Sequence, residues 1–230
     1  MFLVALARPR FDDEGNETFS GKIGVFPLVT YEPTKRRSVN RDAGTLVAKP
    51  ISSINKEVCR NFLCNKVLPA IKAKWPSDAL GETIFIQQDN APCHLNDDDE
   101  EFRRVVCECG LDIHLMSQPP NSPDLNVLDL GYFNAIQALQ HKESPKSIEE
   151  LIVAVTNSYE RLPSYQTNKI FLTLQATMME IMKAKGSNKY KAPHWSSRIV
   201  QGEGGLPYQL ECDVSIVQAV LAHLGEIVDG

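Results

Sequence analysis

Blocks of apolar and polar residues at the start of the chain predict an antiparallel hairpin. Two apolar stretches, residues 1–7 and 22–30, flank a turn-rich segment at residues 11–16, and strands separated by such a segment pair with each other. The polar stretch that follows, residues 31–49, predicts a loop. It is either a solvated loop or one that faces DNA, and it carries four basic side chains, at Lys35, Arg36, Arg37 and Arg41.

The middle of the chain changes from helical to strand-like patterning. Apolar residues recur at helical spacing over residues 55–75, and Pro69 should kink or divide that helix. The apolar run at residues 84–86 is too short for a helix and suits a buried strand that ends at Asp89. An acidic run at residues 97–101 then opens a helix, since acids in a first turn complement the helix dipole.

The second half predicts a strand followed by helices. Residues 111–115 alternate apolar and polar, as in a strand exposed on one face. Helical spacing follows over 125–142, 146–162 and 164–185, with a weaker helix near 215–228. An antiparallel start followed by strand–helix alternation predicts an α/β fold with a mixed sheet and helices on both faces. We divide the chain into a domain at residues 1–160 and a helical C-terminal extension at 161–230.

Composition and charge narrow the classes of protein. The chain is 43% hydrophobic and 23% charged, which is ordinary for a globular protein, and no apolar run approaches the roughly 18–20 residues that span a bilayer. The first seven residues lack the basic start of a secretion signal. We therefore expect the nucleus or cytoplasm, and no membrane partner. The net charge of −5 argues against binding nucleic acid by charge alone but allows a local basic face.

The six cysteines predict free thiols. Their positions contain no C-x-x-C pair, and in a reducing compartment such cysteines stay unpaired. Four residues could in principle bind zinc, but the spacing between them matches no common pattern of zinc ligands. Those residues are Cys93, His94, Cys107 and Cys109.

Two carboxylates occupy positions where chemistry is often found. Asp89 lies where a predicted strand ends, and ligands of open α/β sheets bind beyond the carboxyl ends of strands. Asp129 lies about one turn inside the helix that begins after Pro123, with Asp124 placed to cap it. The alternative to metal binding is a structural role for both acids. An Asp before Asn-Ala-Pro commonly forms a turn, and an Asp in the first turn of a helix interacts favourably with the helix dipole.

Two short blocks resemble the catalytic signatures of the mariner superfamily of cut-and-paste DNA transposases. Residues 87–94 (QQDNAPCH) resemble its Asp-Asn-Ala-Pro-x-His block, and residues 122–129 (SPDLNVLD) are similar to its Ser-Pro-Asp-Leu-Asn-Pro-x-Glu/Asp block. Thirty-nine residues separate the two acids, a spacing associated with the Asp-Asp-Asp branch. The resemblance covers about residues 1–160, and Val127 departs from it by replacing the usual proline.

The resemblance implies a ribonuclease-H-like domain that cleaves and joins DNA with Mg²⁺ or Mn²⁺. Asp89 and Asp129 would be its catalytic metal ligands, with water attacking first and a DNA 3′-hydroxyl second. The implied partner is DNA, as element ends and target, and a second copy of the chain is a candidate partner. Asn90 is expected to shape the turn. His94 either orients a water, a phosphate or Asp89, or is packed or hydrogen-bonded behind the strand end.

The resemblance also implies a third carboxylate, on a strand preceding the first hairpin. We therefore expect the sheet to lack its first strand and the chain, as written, to be catalytically poor or inactive. Two explanations account for a missing first strand. The gene has decayed or was read from an internal Met, or the domain has been domesticated as a DNA- or protein-binding module. An unrelated metal-dependent nuclease would need a further carboxylate. Four acids were considered as substitutes and none fits well by position: Asp12, Asp13, Glu32 and Asp42.

Overall fold

A computed structural model describes residues 1–37, 42–140, 143–187, 189–191, 207 and 209–228. The protein is mixed α/β, as predicted. Its strands are β1 (Phe2–Leu6), β2 (Arg10–Phe11), β3 (Glu17–Phe19), β4 (Lys22–Pro27), β5 (Val29–Pro33), β6 (Leu46–Pro50), β7 (Ile84–Gln88) and β8 (Ile113–Ser117). Its helices are α1 (Lys56–Phe62), α2 (Leu68–Lys74), α3 (Glu100–Cys109), α4 (Phe133–Gln140), α5 (Ile148–Arg161), α6 (Ser164–Lys183) and α7 (Val214–Val228).

The predicted N-terminal hairpin is confirmed. β1 pairs antiparallel with β4, from Phe2 opposite Pro27 to Leu6 opposite Lys22, with a bulge after Ala5. The short strands β2 and β3 extend the same hairpin outward. At its tip the Asp12 carboxylate accepts hydrogen bonds from the backbone N–H groups of residues 14 and 16, which is how a short acidic side chain stabilises a turn.

The prediction of a loop over residues 31–49 is wrong in part. β5 and β6 pair antiparallel in this region, with Val29 opposite Pro50. The run Val29-Thr30-Tyr31 at the start of β5 favours extended backbone. An ion pair between Lys49 and Glu32, at 2.6 Å, links the two strands. The exposed side chains of residues 35–37 lie beyond β5, whereas Arg41 lies outside the described residues.

The helix predicted over residues 55–75 runs through Pro69 by way of a π-turn. α1 begins at its cap Asn55 and leads into the π-turn Leu63–Val67, where the Leu68 N–H bonds to the Leu63 carbonyl. Proline has no N–H for the regular α-helical bond, and a π-turn is a single-residue insertion that the helix absorbs. The predicted break is therefore a local widening. A second π-turn, Leu128–Tyr132, leads directly into α4.

The strand–helix–strand unit β7–α3–β8 matches the sequence pattern. β7 and β8 pair in parallel, with Ile84 opposite Ile113. α3 begins at its cap Asp99 and ends at Gly110, which has a φ of 71°. A residue in this left-handed region terminates a helix most easily when it is glycine, so the predicted stop at Gly110 is confirmed.

Two apolar cores cover opposite faces of the β1–β4 pair. On one face, Leu3 and Ala5 pack against a core formed by the first π-turn, α2, α3, β7 and β8. On the other face, Phe2 and Val4 pack against a core formed by α4 and α5. Helices on both faces are thus confirmed for this pair of strands. The expected single mixed sheet is not found among the described residues, where the strands form four separate two-stranded sheets.

The C-terminal helices follow the predicted spans closely. α5, α6 and α7 begin and end within three residues of the predictions. α6 is tied to the N-terminal hairpin by a hydrogen bond from Arg8 to Asn168, at 3.3 Å, and the division at residue 160 remains a prediction. Among the described residues, no helix is both long and apolar enough to cross a membrane.

The acidic run that opens α3 has a specific structural role, which gives a first test. The Arg60 guanidinium donates two-pronged hydrogen bonds to the Asp99 carboxylate, the shorter at 2.7 Å, and this holds the pKa of Asp99 below its usual range. Asp99→Asn keeps a capping side chain but removes the charge. We expect the free energy of unfolding to fall by about 1–2 kcal/mol at pH 7.

The pH dependence of this variant follows from the sign of the shift. A lowered folded-state pKa contributes stability that is present above the unfolded pKa of about 4 and is lost as the pH falls through the folded value. Urea unfolding at pH 7 and below pH 4 should show the difference between wild type and Asp99→Asn shrinking with acid. A difference that is constant with pH would show that the ion pair contributes nothing.

Candidate metal-binding site

Asp89 lies at the carboxyl end of β7, as predicted. Its side chain is 51% exposed, and its Oδ1 accepts a hydrogen bond from the Ala91 N–H at 2.9 Å. This local turn arises because Asp side chains readily bond the backbone two residues on. The carboxylate is therefore held in place by its own loop while remaining open to solvent.

His94 contacts Asp89 directly. Its Nδ1 lies 2.8 Å from the Asp89 backbone oxygen and 3.0 Å from the Asp89 Oδ1. A carbonyl oxygen only accepts, so Nδ1 is the donor in this contact. These contacts agree both with a histidine that orients Asp89 and with one that is hydrogen-bonded behind the strand end, so the role of His94 stays a prediction.

Amide side chains fasten the end of β7 to the neighbouring segments. Asn90 donates to the Gln118 carbonyl at the end of β8, at 2.8 Å, so it does shape the turn as expected. Gln87 donates to the Leu125 carbonyl, also at 2.8 Å. Sequence reasoning missed Gln87 and Gln118, although Gln87 falls inside the block that resembles the transposase signature. Together these bonds tie the strand end to the turn that precedes Asp129.

Asp129 lies in the π-turn Leu128–Tyr132, within the first turns of the helix that continues as α4. The expected capping residue was wrong. Asp124 lies inside a short 3-10 turn, Pro123–Leu125, while the Asn126 side chain accepts the Leu128 N–H at 3.0 Å. Asn126 caps this helix because the 3-10 turn carries the chain past Asp124 before the helix begins.

Asp89 and Asp129 line the same cleft. It has a volume of about 760 Å³, and its walls are mostly apolar. β1 and β7 line it along their whole lengths, and residues 125–129 also line it. The hydrogen bond between Gln87 and the Leu125 carbonyl links the strand that precedes Asp89 to the segment that precedes Asp129.

The cysteines near this site are free, as predicted for all six. Burial, followed by the neighbouring Cys93 thiol and the Asp89 carboxylate, raises the pKa of the Cys59 thiol to about 12. Cys59 therefore stays protonated at neutral pH and is a poor metal ligand. Among the described residues, no group of three or more His, Cys, Asp or Glu side chains is arranged to hold a metal ion.

Three of the four acids that could substitute for a third carboxylate form contacts elsewhere. Asp12 closes the tip of the first hairpin, and Glu32 pairs with Lys49. Asp42 pairs with Arg37 at 3.2 Å, with both side chains exposed. Exposed ion pairs contribute little to stability, so Arg37 remains accessible to another anion.

Comparisons with known proteins give little help. No protein-family model matches the sequence, and no curated protein shows significant similarity to it. One solved structure is similar to this chain: the cryo-EM structure of a simian T-cell lymphotropic virus intasome in complex with the PP2A regulatory subunit B56 gamma. The match covers 66% of the present chain, at 17% sequence identity. The present chain spans about half (52%) of that chain, and the TM-score of 0.26 carries no argument about fold or function.

Proposed function

We propose that the protein is a transposase-derived domain of the type that cleaves and joins DNA with divalent metal ions, with Asp89 and Asp129 as two of its metal ligands, and that these two carboxylates alone do not support cleavage. The observation that carries the proposal is that both acids of the two signature-like blocks line one cleft. Under this proposal β1, β4, β7 and β8 belong to a ribonuclease-H-like arrangement of the mariner type.

The donor set at the cleft fits one hard divalent cation. Carboxylate oxygens are the ligands that Mg²⁺ and Mn²⁺ prefer, and both acids are exposed to solvent. A complete site would hold two such ions, one to activate an attacking oxygen and one to stabilise a leaving oxygen during phosphoryl transfer. His94 fixes the orientation of Asp89 through two contacts, and residues 87 and 125 fix the helix bearing Asp129 relative to the strand.

DNA is proposed to approach along the β5–β6 hairpin. The exposed Lys35, Arg36 and Arg37 lie beyond β5, and clustered Lys and Arg side chains bind phosphates without regard to sequence. Arg41 belongs to the same basic segment of the sequence. Because the net charge of the chain is −5, the chain as a whole repels DNA, and DNA binding would require a local basic cluster of this kind.

A second candidate is a non-catalytic protein-binding module on the same fold. Apolar side chains are exposed in and around the cleft, including Phe85 and Met116, and exposed apolar patches mark protein-binding surfaces. The two candidates make different demands on the cleft. The first needs the acids, whereas the second needs only the apolar walls.

Titration with Mn²⁺, followed by calorimetry, tests the proposed function. We expect one weakly bound ion per chain, because two carboxylates supply a charge of −2 against the +4 of a metal pair. For the same reason we expect no nicking of supercoiled DNA above background. Absence of Mn²⁺ binding would contradict the metal site. Two tightly bound ions with robust nicking would show that a further ligand exists.

A further inference from the structure

The cleft separates two pairs of strands whose facing edges are both unpaired within the described residues. β1 has β4 as its strand partner, and β7 has β8. Both β1 and β7 line the cleft from end to end. An edge strand carries a row of N–H and C=O groups that can pair with another strand.

The open edge of β1 can be assigned from hydrogen-bond parity. Met1 accepts a bond from Leu28, and Ala7 donates to Gly21, so the odd-numbered residues of β1 face β4. In an antiparallel pair, alternate residues turn their backbone groups away from the partner. Those groups belong to Phe2, Val4 and Leu6, and they are directed away from β4.

The same reasoning assigns the open edge of β7. Ile84 donates to Asp112, and Gln88 accepts from Gln118, so the even-numbered residues of β7 face β8. In a parallel pair a residue gives both its N–H and its C=O to the same neighbour. Phe85 and Gln87 therefore direct their backbone groups away from β8.

Apolar side chains cover the cleft from two sides. Leu63 and Val67 of the first π-turn line one side, and Phe171 and Leu174 of α6 also line the cleft. Within it, Phe85 is 62% exposed although it is a large apolar residue in the middle of a strand. Apolar groups at this exposure are stabilised when a partner covers them.

We propose that this cleft accepts one extended peptide strand from a protein partner, apolar on both faces and about five residues long. The five-residue lengths of β1 and β7 set the length. Only an extended backbone supplies donors and acceptors alternately to two edges. A helix has already used its backbone groups, and a lipid chain would fill the apolar walls but leave both edges unpaired. The slot exists whether or not Asp89 and Asp129 bind a metal.

Hydrogen exchange measured by NMR with a synthetic peptide tests this proposal. The probe is Val-Ile-Val-Ile-Val flanked by two lysines at each end. On binding, the amides of Val4, Leu6, Phe85 and Gln87 should exchange at least about tenfold more slowly. Ile86, which already faces β8, should change little. Protection with the opposite parity, or no protection, would overturn the proposal.

Altered probes separate strand pairing from apolar contact. In an extended peptide, the N–H groups of the three valines point to one edge and those of the two isoleucines to the other. N-methylation of either set removes the donors to one edge, and each methylated peptide should bind about tenfold more weakly. Equal binding of methylated and unmethylated peptides would overturn the proposal in favour of simple apolar contact. Protection of the same amides without peptide, growing with protein concentration, would assign the slot to a second copy of this chain and would also overturn it.

Matched variants of the protein complete the test. Phe85→Asp places a charge inside the slot and should weaken peptide binding at least about tenfold. Val153→Asp makes the same change at an exposed site on α5 outside the cleft, where Val153 is 56% exposed, and should leave binding unchanged. Equal loss in both variants would contradict a site in the cleft.

Discussion

Asp89→Asn is expected to lower the affinity for Mn²⁺ by more than about 100-fold, because loss of a residue that only supports a metal ligand already costs about 10–100-fold. The fold should survive the change. Asparagine retains a side-chain oxygen that can accept the Ala91 N–H, which closes the local turn in the wild type. Calorimetric titration with Mn²⁺ measures the affinity, and the thermal midpoint reports folding.

Asp124→Asn is the matched control for this substitution. Asp124 carries the same charge and lies in the turn just before Asp129, but it does not line the cleft among the described residues. Its Mn²⁺ affinity should remain within about threefold of the wild type. Equal losses in the two variants would mean that the acids act through general charge, and the assignment of Asp89 as a ligand would be withdrawn.

Phe102→Ala should lower the free energy of unfolding by about 3–5 kcal/mol. Phe102 is fully buried, in the core that joins α3 to β7 and β8, and alanine would leave a cavity that rigid strands cannot fill. Urea denaturation followed by circular dichroism measures the loss. Since whole domains are stable by only about 5–15 kcal/mol, the variant should be partly unfolded on mild heating.

Phe85→Ala provides the comparison at equal change in side-chain size. Phe85 is 62% exposed, so its removal should cost less than about 1 kcal/mol. Similar costs at the two positions would indicate that Phe85 is buried in solution. That result would mean that the cleft is closed, which bears on the peptide slot as well.

Sequence pattern alone predicted the elements whose signals are local. β7 is a short apolar run before an Asp-Asn turn, and α3 begins with an acidic cap and ends at Gly110. Such features depend on neighbouring residues, so they can be read from the chain. The β5–β6 hairpin was missed because charges at residues 35–37 obscured the strand pattern on both sides of them.

The candidate site could be predicted only in part. The positions of Asp89 and Asp129 follow from the two signature-like blocks, but their sharing of one cleft is a matter of tertiary contacts such as the bond between Gln87 and the Leu125 carbonyl. Periodicity carries no information on such contacts. The capping residue was misplaced by two positions because Pro123 starts a 3-10 turn instead of the helix itself.

The open edges of β1 and β7 could not be inferred from the order of elements. When helices cover both faces of a sheet, an edge strand and an interior strand have the same apolar sequence pattern. Only the hydrogen bonds of Met1, Ala7, Ile84 and Gln88 show which way each edge faces.

The π-turn Leu128–Tyr132 has a consequence for insertions and deletions. A π-turn is an α-helix with one extra residue, so the loss of one residue from this segment would restore a regular helix without disturbing α4 beyond it. The loss would rotate the preceding turn by about 100° relative to α4, since each helical residue turns the chain by that angle. Asp129 would then point in another direction while the helix remained intact. A change of one residue in the length of this segment would therefore redirect the Asp129 side chain.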